Sequence, residues 1–297
     1  MPPAENNQGG EGAGFTGAPD PPFPLGNTGP YVWVNMEVAG MSFVEVRRDG
    51  AVAAVSLNKP PVNALDAAFL REIDAAVAAL EHDASVRAVL FRSAVPGIFI
   101  AGADIKAFQQ PEATQAALTA FHDCFNRIER LPKPTVAAIT GHALGGGCEF
   151  ALVCDFRLMI DDGKSTIGLP EVSLGIFPGA GGTQRLPRIV GRARALDIIV
   201  HGRRLTAPEA AAWGLVHEAI PADGFEERVM EYAVRLAAGP TRALAAAKAL
   251  INRAFDEPLA GGLAAEARKF VAVLDTEDAR EGVRAFLEKR PPTFVGR

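Results

Sequence analysis

The sequence predicts an α/β protein with a helical C-terminal region. From Met41 onward, strand-like and helix-like segments alternate, which is the rhythm of βαβ units built on a sheet. From Gly191 to the end the pattern is almost entirely helical. Because no Gly/Ser/Pro-rich linker separates the two parts, we expect one domain over residues 41–297, with an α/β core at 41–190 and a helical region at 191–297.

Short apolar segments of the core are typical of β-strands. Val52–Leu57 alternates small and apolar residues, as a half-buried strand does. The other predicted strands are Ser42–Arg47, Val86–Arg92, Phe99–Ile100, Thr135–Ile139 and Phe156–Ile160.

Amphipathic helices are predicted between these strands. Asp66 is placed to cap the first helix, and apolar residues follow it at helical spacing. A second helix shows the same spacing before Thr135. Their apolar positions are Phe69, Leu70, Ile73, Val77 and Leu80 in the first, and Leu118, Phe121, Phe125 and Ile128 in the second.

The last third of the chain carries its own helix signals. Thr206 and Glu209 form a capping box, with a proline in the first turn between them. Three further helices rich in Ala and Leu are predicted, at Glu226–Ala237, Arg242–Phe255 and Leu263–Leu274, and a fourth helix follows at Glu277–Lys289.

Composition excludes several classes of protein. The 297 residues are 48% hydrophobic with a net charge of −5, which does not fit a disordered chain or an ordinary nucleic-acid-binding protein. No stretch approaches the length of a membrane-spanning helix. We therefore expect neither a nucleic-acid partner nor a membrane partner.

The first 40 residues differ from the rest. They carry four acidic side chains and no Lys or Arg, and residues 1–30 contain seven Gly and seven Pro. We expect a disordered tail over residues 1–40, and the break in composition raises the hypothesis that Met41 is the biological start.

The cysteines and the N-terminus bear on location in the cell. Cys124, Cys148 and Cys154 cannot form a closed set of disulfides, which favours reduced thiols. The N-terminal sequence resembles neither a secretory signal nor a transit peptide, so a cytoplasmic location is expected.

Familiar cofactor and metal motifs are incomplete. The glycine-rich segment Gly179–Gln184 lacks the third glycine of a dinucleotide-binding loop. The five histidines do not pair with cysteines at metal-binding spacing. We expect no metal and no cofactor.

Two glycine-containing segments follow predicted strands. They are Phe99–Ile105 and Gly141–Glu149, and the triple glycine Gly145–Gly147 opens an apolar helix. Glycine lets the backbone approach a ligand closely, and a helix start offers free N–H groups. Two such loops facing each other would place two donors on one oxygen, forming an oxyanion hole. The alternative is that these glycines only form tight turns.

Two glutamates lie close to these glycines in the sequence. Glu149 falls in the first turn of an apolar helix, and Glu171 is the sole charge between Ser165 and Gln184. Glu149 is also consistent with simple charge stabilisation of a helix N-terminus, and Glu171 with a paired structural group. Beside an oxyanion hole, the two carboxylates would suit proton transfer next to a carbonyl.

The chain resembles the crotonase, or enoyl-CoA hydratase/isomerase, family from about Ser42 to Arg297. The two glycine segments and Gly168–Glu171 carry the resemblance, together with Asn58–Leu65 and Thr276–Arg290. It implies a crotonase-like spiral of ββα turns followed by a helical trimerisation region. It also implies a homo-oligomer, either a trimer or a dimer of trimers.

The resemblance also implies roles for individual residues. The N–H groups of Ala103 and Gly146 would form the oxyanion hole for an acyl-CoA thioester, which is the implied substrate, with coenzyme A a part of it. Glu149 would activate water and Glu171 would protonate the α-carbon of a trans-2-enoyl-CoA. The residues implied to contact CoA are Pro61, Val62, Ala101, Asp104, Ile105, Lys106, Phe286 and Lys289.

Other activities stay open at this point. A Δ3,Δ2-enoyl-CoA isomerase can work with one carboxylate, and another acyl-CoA lyase or hydrolase would share the same motifs. The alternative to an enzyme is a non-catalytic protein of this fold that binds RNA or CoA. Compared with the family pattern, Asp161–Gly163 is interpreted as an extra surface turn, and the Gly/Pro-rich front has no counterpart.

Overall fold

Two β-sheets and the helices around them form the protein. The structure, a computed structural model, describes residues 31–36, 38, 40–104 and 111–297, except for the side chains of residues 111–113. The larger sheet has the strand order β1-β2-β3-β4-β6-β8-β11. Its strands are β1 (Val34–Met36), β2 (Val44–Asp49), β3 (Val52–Leu57), β4 (Ala88–Ser93), β6 (Thr135–Ile139), β8 (Phe156–Asp161) and β11 (Glu218–Pro221).

The smaller sheet has the order β10-β9-β7-β5. Its strands are β5 (Gly97–Ala101), β7 (Gly141–Leu144), β9 (Thr166–Gly168) and β10 (Arg204–Thr206). Each parallel strand of the larger sheet from β4 to β8 is followed in sequence by a strand of the smaller one, as in β4-β5, β6-β7 and β8-β9. The chain therefore winds as a spiral of strand pairs, as the resemblance implied.

Helices follow the strand pairs and complete the domain. The first seven are α1 (Ala67–His82), α2 (Pro111–Arg130), α3 (Gly146–Val153), α4 (Gly182–Val190), α5 (Arg192–Val200), α6 (Ala207–Ala212) and α7 (Phe225–Ala237). Three more end the chain: α8 (Thr241–Arg253), α9 (Leu259–Leu274) and α10 (Glu277–Glu288). Asp66 caps α1 by accepting the N–H of Phe69 at 2.9 Å, and Thr206 and Glu209 form the predicted capping box of α6.

The main core surrounds α3, whose residues are all buried. The Phe150 ring makes edge-to-face contacts with Phe91, Phe99 and Phe125, at centroid distances of 5.3, 5.9 and 5.7 Å. These rings come from β4, β5 and α2, so one aromatic cluster ties both sheets to α3. Such pairs stabilise a core beyond simple burial, by roughly 0.5–1.5 kcal/mol each. This packing makes α3 a rigid support for the residues at its N-terminus.

The N-terminal prediction is wrong at its boundary. Residues 1–30 lie outside the described residues, but Val34–Met36 form β1, which pairs antiparallel with β2. Trp33 packs on the core beneath α7, and Met36 packs against the main core. The ordered chain therefore includes residues upstream of Met41, because β1 pairs with β2 and the side chains of Trp33 and Met36 pack against the cores.

The C-terminal helices leave much apolar surface open. No residue of α9 is buried in the single chain. Large exposed apolar side chains in α8–α10 and the turn after α8 are Ile251, Phe255, Leu259, Leu263, Phe270, Val271, Leu274, Val283, Phe286 and Leu287. Among the helices of the described residues, none has the length and apolar character needed to span a membrane.

Candidate active site

A cavity of about 760 Å³ opens beside the N-terminus of α3. It brings together segments from three successive turns of the spiral: Ala101–Ala103 at the end of β5, Gly145–Glu149 at the start of α3, and Pro170–Ala180 after β9. Both predicted glutamates and both predicted oxyanion-hole residues line it. The rest of the wall is largely apolar.

The two predicted N–H donors lie on adjoining segments. Leu65 bonds to the two neighbours of Ala103: it accepts the N–H of Asp104 and donates to the carbonyl of Gly102. The N–H of Ala103 itself has no hydrogen-bond partner among the described residues. Gly146 begins α3, and its N–H is equally without a partner there. Gly102 donates to the carbonyl of Leu144 at 2.8 Å, so the two segments are tied together.

Glycine is required in this loop for two different reasons. Gly145 has φ +58°, which disfavours other residues. Gly147 instead has to allow a close approach, because a Cβ atom there would lie 2.0 Å from the carbonyl oxygen of Ile100. The triple glycine therefore does more than form a turn: it lets α3 start directly against β5.

Glu149 is held by the loop that precedes α4. The residue is 3% exposed, and its Oε1 accepts the N–H groups of Ala180 at 2.8 Å and Gly182 at 2.7 Å. Burial raises the pKa of Glu149, while these N–H groups and the charges of Arg185 and His122 oppose the rise. No hydrogen bond to Oε2 is found among the described residues, so one oxygen is anchored and the other is available.

Glu171 is in a different environment. It begins the short 3₁₀ turn Glu171–Leu174, and its Oε2 is buried without a hydrogen-bond partner among the described residues. Burial, followed by the charge of Glu149, raises the pKa of Glu171 to about 7. Its Oε1 lies 3.2 Å from the position that a Cβ atom at Gly145 would occupy. Glu171 is therefore close to the loop that opens α3.

The residues implied to contact CoA are only partly gathered. Ala101 lines the cavity and donates to the carbonyl of Val62 at 3.0 Å, with Pro61 exposed beside it. Asp104 is half-buried just beyond Ala103.

The remaining CoA predictions fall elsewhere. Ile105 and Lys106 lie outside the described residues. Phe286, on α10, is 82% exposed, and Lys289 is exposed at the C-terminus of that helix. Neither Phe286 nor Lys289 lines the cavity of the single chain.

Sequence reasoning missed part of the cavity wall. Leu118 and Phe121, assigned to the core face of α2, line the cavity, and Ile176 and Phe177 form an exposed apolar rim. Apolar residues inside the glycine-rich segment after Glu171 are the signal that indicates such a wall. No three His, Cys, Asp or Glu side chains converge as ligands of a metal ion within the part of the chain that the structure describes.

The spiral of strand pairs and this cavity place the chain in the crotonase class of enzymes. The chain belongs to the enoyl-CoA hydratase/isomerase family, whose family model matches residues 47–297. This confirms the resemblance recognised in the sequence.

Relatives of the chain agree with this assignment. The chain is 40% identical to a probable enoyl-CoA hydratase of Rhizobium meliloti over 253 residues, covering 85% of this chain and 97% of the other. It is 38% identical to the human protein named enoyl-CoA hydratase domain-containing protein 2, mitochondrial, covering 87% and 92%. It is an enzyme of the enoyl-CoA hydratase type.

Solved structures share the fold. An enoyl-CoA hydratase from Geobacillus kaustophilus superposes with a TM-score of 0.84 at 36% identity, covering 90% of this chain and all of the other. One from Bacillus anthracis gives 0.81 at 37% identity, covering 86% and all of the other.

Proposed function

We propose that this enzyme adds water to a trans-2-enoyl-CoA to give a 3-hydroxyacyl-CoA. The observation that carries the proposal is a pair of carboxyl groups at one cavity in two different environments. Glu149 is anchored by two N–H donors, whereas Glu171 is buried with a free oxygen and a pKa of about 7. Two carboxyl groups whose environments differ in this way suit a base and an acid in one reaction.

Glu149 is the proposed base. Its Oε1 is occupied by Ala180 and Gly182, so Oε2 is the atom left to accept a proton from water. The resulting hydroxide equivalent attacks the β-carbon of the enoyl thioester. Near pH 7 a substantial fraction of Glu171 is protonated, and Glu171 then delivers its proton to the α-carbon.

The N–H groups of Ala103 and Gly146 are the proposed oxyanion hole. Attack at the β-carbon moves negative charge onto the thioester oxygen, which becomes enolate-like. Both N–H groups lack another acceptor in the described residues, and the N-terminus of α3 adds a favourable dipole. Losing one such donor typically costs about 3–4 kcal/mol of transition-state stabilisation.

The CoA portion is proposed to lie along Pro60–Asn63 and Ala101–Ile105, held largely by the backbone. Lys106, Phe286 and Lys289 are proposed to contact its nucleotide end. The substrate supplies the coenzyme, so no further cofactor or metal enters the proposal. A cytoplasmic location stays a prediction.

Assembly as a trimer or a dimer of trimers is part of the proposal. Support comes from α8–α10, where apolar side chains such as Phe270, Val271 and Leu274 are exposed in the single chain. A patch of this kind is typical of a subunit interface. Sedimentation equilibrium of the wild type should give a trimer or hexamer, and Phe270→Asp should shift it toward smaller species. A monomeric wild type would contradict this part.

An isomerase is the second candidate, because one carboxylate can move a proton between two carbons. The presence of two carboxyl groups at the cavity favours hydration. The test follows the absorbance of the conjugated thioester of crotonyl-CoA and identifies the product by mass. Formation of 3-hydroxybutyryl-CoA supports the proposal. Conversion of 3-hexenoyl-CoA to its 2-enoyl isomer, with crotonyl-CoA left unchanged, would contradict it.

A further inference from the structure

The loop that anchors Glu149 is itself held from two sides. His122, on α2, has its Nε2 2.9 Å from the carbonyl oxygen of Gly179, to which it donates. Arg185, on α4, donates from Nη1 to the carbonyl of Ala180 at 3.3 Å. These two carbonyls belong to the peptide segment whose N–H groups reach Glu149. The direction of those N–H groups therefore depends on His122 and Arg185.

Arg185 is fixed in turn by α2. Its Nε and Nη2 each donate to one carboxylate oxygen of Glu129 at 3.0 Å, and Nη2 also donates to Oδ1 of Asn126 at 2.8 Å. His122, Asn126 and Glu129 are spaced four and three residues apart, so they share one face of the helix. A two-point Arg–carboxylate contact is a strong and directional hydrogen-bonded pair.

Gly181 makes room for this arrangement. A Cβ atom at residue 181 would lie 2.1 Å from Nη1 of Arg185, so any side chain there would displace the guanidinium. Gly181 also has φ +111°. The loop backbone and the arginine are therefore matched to each other.

We propose that this face of α2, acting through His122 and Arg185, positions Glu149 for catalysis. It holds the loop so that both N–H groups converge on Oε1 and Oε2 stays available for water. His122 and Arg185 are positioning residues, since they act on the reaction through Glu149. The inference rests on the proposed hydratase function, in which Glu149 is the base.

Charge reinforces the geometry. The charges of Arg185 and His122 favour the ionised form of Glu149, and the charge of Glu149 in turn disfavours ionisation of Glu171. Glu129 partly neutralises Arg185 and Asp123 lies next to His122 on the exposed side of α2, so protonated His122 has an acidic neighbour as well. Losing His122 should therefore both loosen the loop and make Glu149 harder to ionise.

His122 offers the cleaner variants because it is exposed and contacts the loop through one hydrogen bond. His122→Leu removes the donor and the charge, and His122→Gln keeps a donor. His82→Leu, at an exposed histidine near the end of α1, is the matched control. Comparing Arg185→Lys, which keeps the charge, with Arg185→Met, which removes it, tests the same role for the arginine on α4.

Two readouts are measured on each full-length variant: steady-state hydration of crotonyl-CoA over a range of pH, and hydrogen–deuterium exchange of the peptide spanning residues 179–185. His122→Leu should lower kcat by about 5–50-fold with little change in KM, as expected for a small misplacement of a catalytic group. It should also move the acid limb of the rate profile to higher pH and speed exchange in this peptide. His122→Gln should restore most of kcat and slow exchange, and His82→Leu should match the wild type.

If His122→Leu hydrates crotonyl-CoA at the wild-type rate and its 179–185 peptide exchanges as in the wild type, the proposal is overturned. Faster exchange with an unchanged kcat and pH profile would overturn its catalytic part. If the wild type does not hydrate crotonyl-CoA, the proposed function fails, while the exchange data still decide whether α2 holds the loop.

Discussion

Glu149 and Glu171 line one cavity, in which burial and, to a smaller extent, the charge of Glu149 raise the pKa of Glu171 to about 7. The two groups are therefore coupled through the cavity that they share. In the proposed hydration, Glu171 has to carry a proton while Glu149 has to be ionised. This requirement links the electrostatics of the pair to the rate.

The hydration rate should fall as pH rises through about 7. Above that pH, Glu171 progressively loses the proton that it delivers to the α-carbon. The expected alkaline limb approaches a tenfold loss for each pH unit, as for a single essential acid. Initial rates with crotonyl-CoA well below KM give kcat/KM, which reports the pKa values of the free enzyme, and would measure it across this range. A kcat/KM that stays constant or rises between pH 7 and pH 9 would show that Glu171 is not the proton donor.

Stability should respond to the same group. The folded-state pKa of Glu171, about 7, lies above its unfolded value near 4.5. The contribution of the neutral acid to stability is thus fully present below pH 4.5 and is lost as pH rises through 7. Glu171→Gln, which stays neutral, should be more stable than the wild type at pH 8 by about 1–3 kcal/mol.

Urea unfolding at pH 8 and at pH 4.5 would measure this difference. The gap between the two proteins should shrink strongly at the lower pH. Glu227→Gln, at an exposed position on α7, is the control and should show no such pH-dependent gain. Equal stability of Glu171→Gln and the wild type at pH 8 would contradict the unfavourable burial of this carboxylate.

Gly147→Ala should damage the fold and the oxyanion hole together. The new Cβ atom would lie 2.0 Å from the carbonyl of Ile100, so α3 has to move away from β5. A loss of about 3 kcal/mol or more in the free energy of unfolding is expected, at the upper end of the cost of overpacking. Gly261→Ala, in α9, is the control because nothing lies within 4 Å of its added methyl group. Near-wild-type melting of Gly147→Ala would mean that the contact relaxes easily.

Removing residues 1–30 and removing residues 1–40 should have different effects. The longer deletion removes β1 and the buried part of Trp33, and it exposes the edge of β2. It should cost roughly 2 kcal/mol, the order expected for one large apolar side chain. Thermal melting of both truncated proteins measures the difference. Identical melting temperatures would show that β1 contributes nothing and would leave Met41 as a sufficient start.

The sequence predicted the long helices and most core strands because their apolar residues recur over many positions. Asp66 and Thr206 mark helix starts through local hydrogen bonds that need no tertiary structure. The strands β7 and β9 were missed, since each has three or four residues and a glycine at one end. Their pairing is determined by the spiral and not by local pattern.

The candidate site likewise has features that the sequence shows and features that depend on tertiary packing. Glu149, Glu171 and the triple glycine stand out from their uncharged or glycine-rich surroundings. The anchoring of Glu149 does not, because Ala180 and Gly182 are 31 and 33 residues away along the chain. Only the packing of α4 against α3 brings them to the carboxylate.

The most direct test of the account is the hydration of crotonyl-CoA by Glu149→Gln and Glu171→Gln, each compared with the wild type. Both substitutions keep the shape of the side chain and remove its acid–base function. We expect each to lower kcat by about 10²–10⁴-fold, with KM little changed. A wild-type kcat in either variant would contradict the roles of Glu149 as base and Glu171 as proton donor.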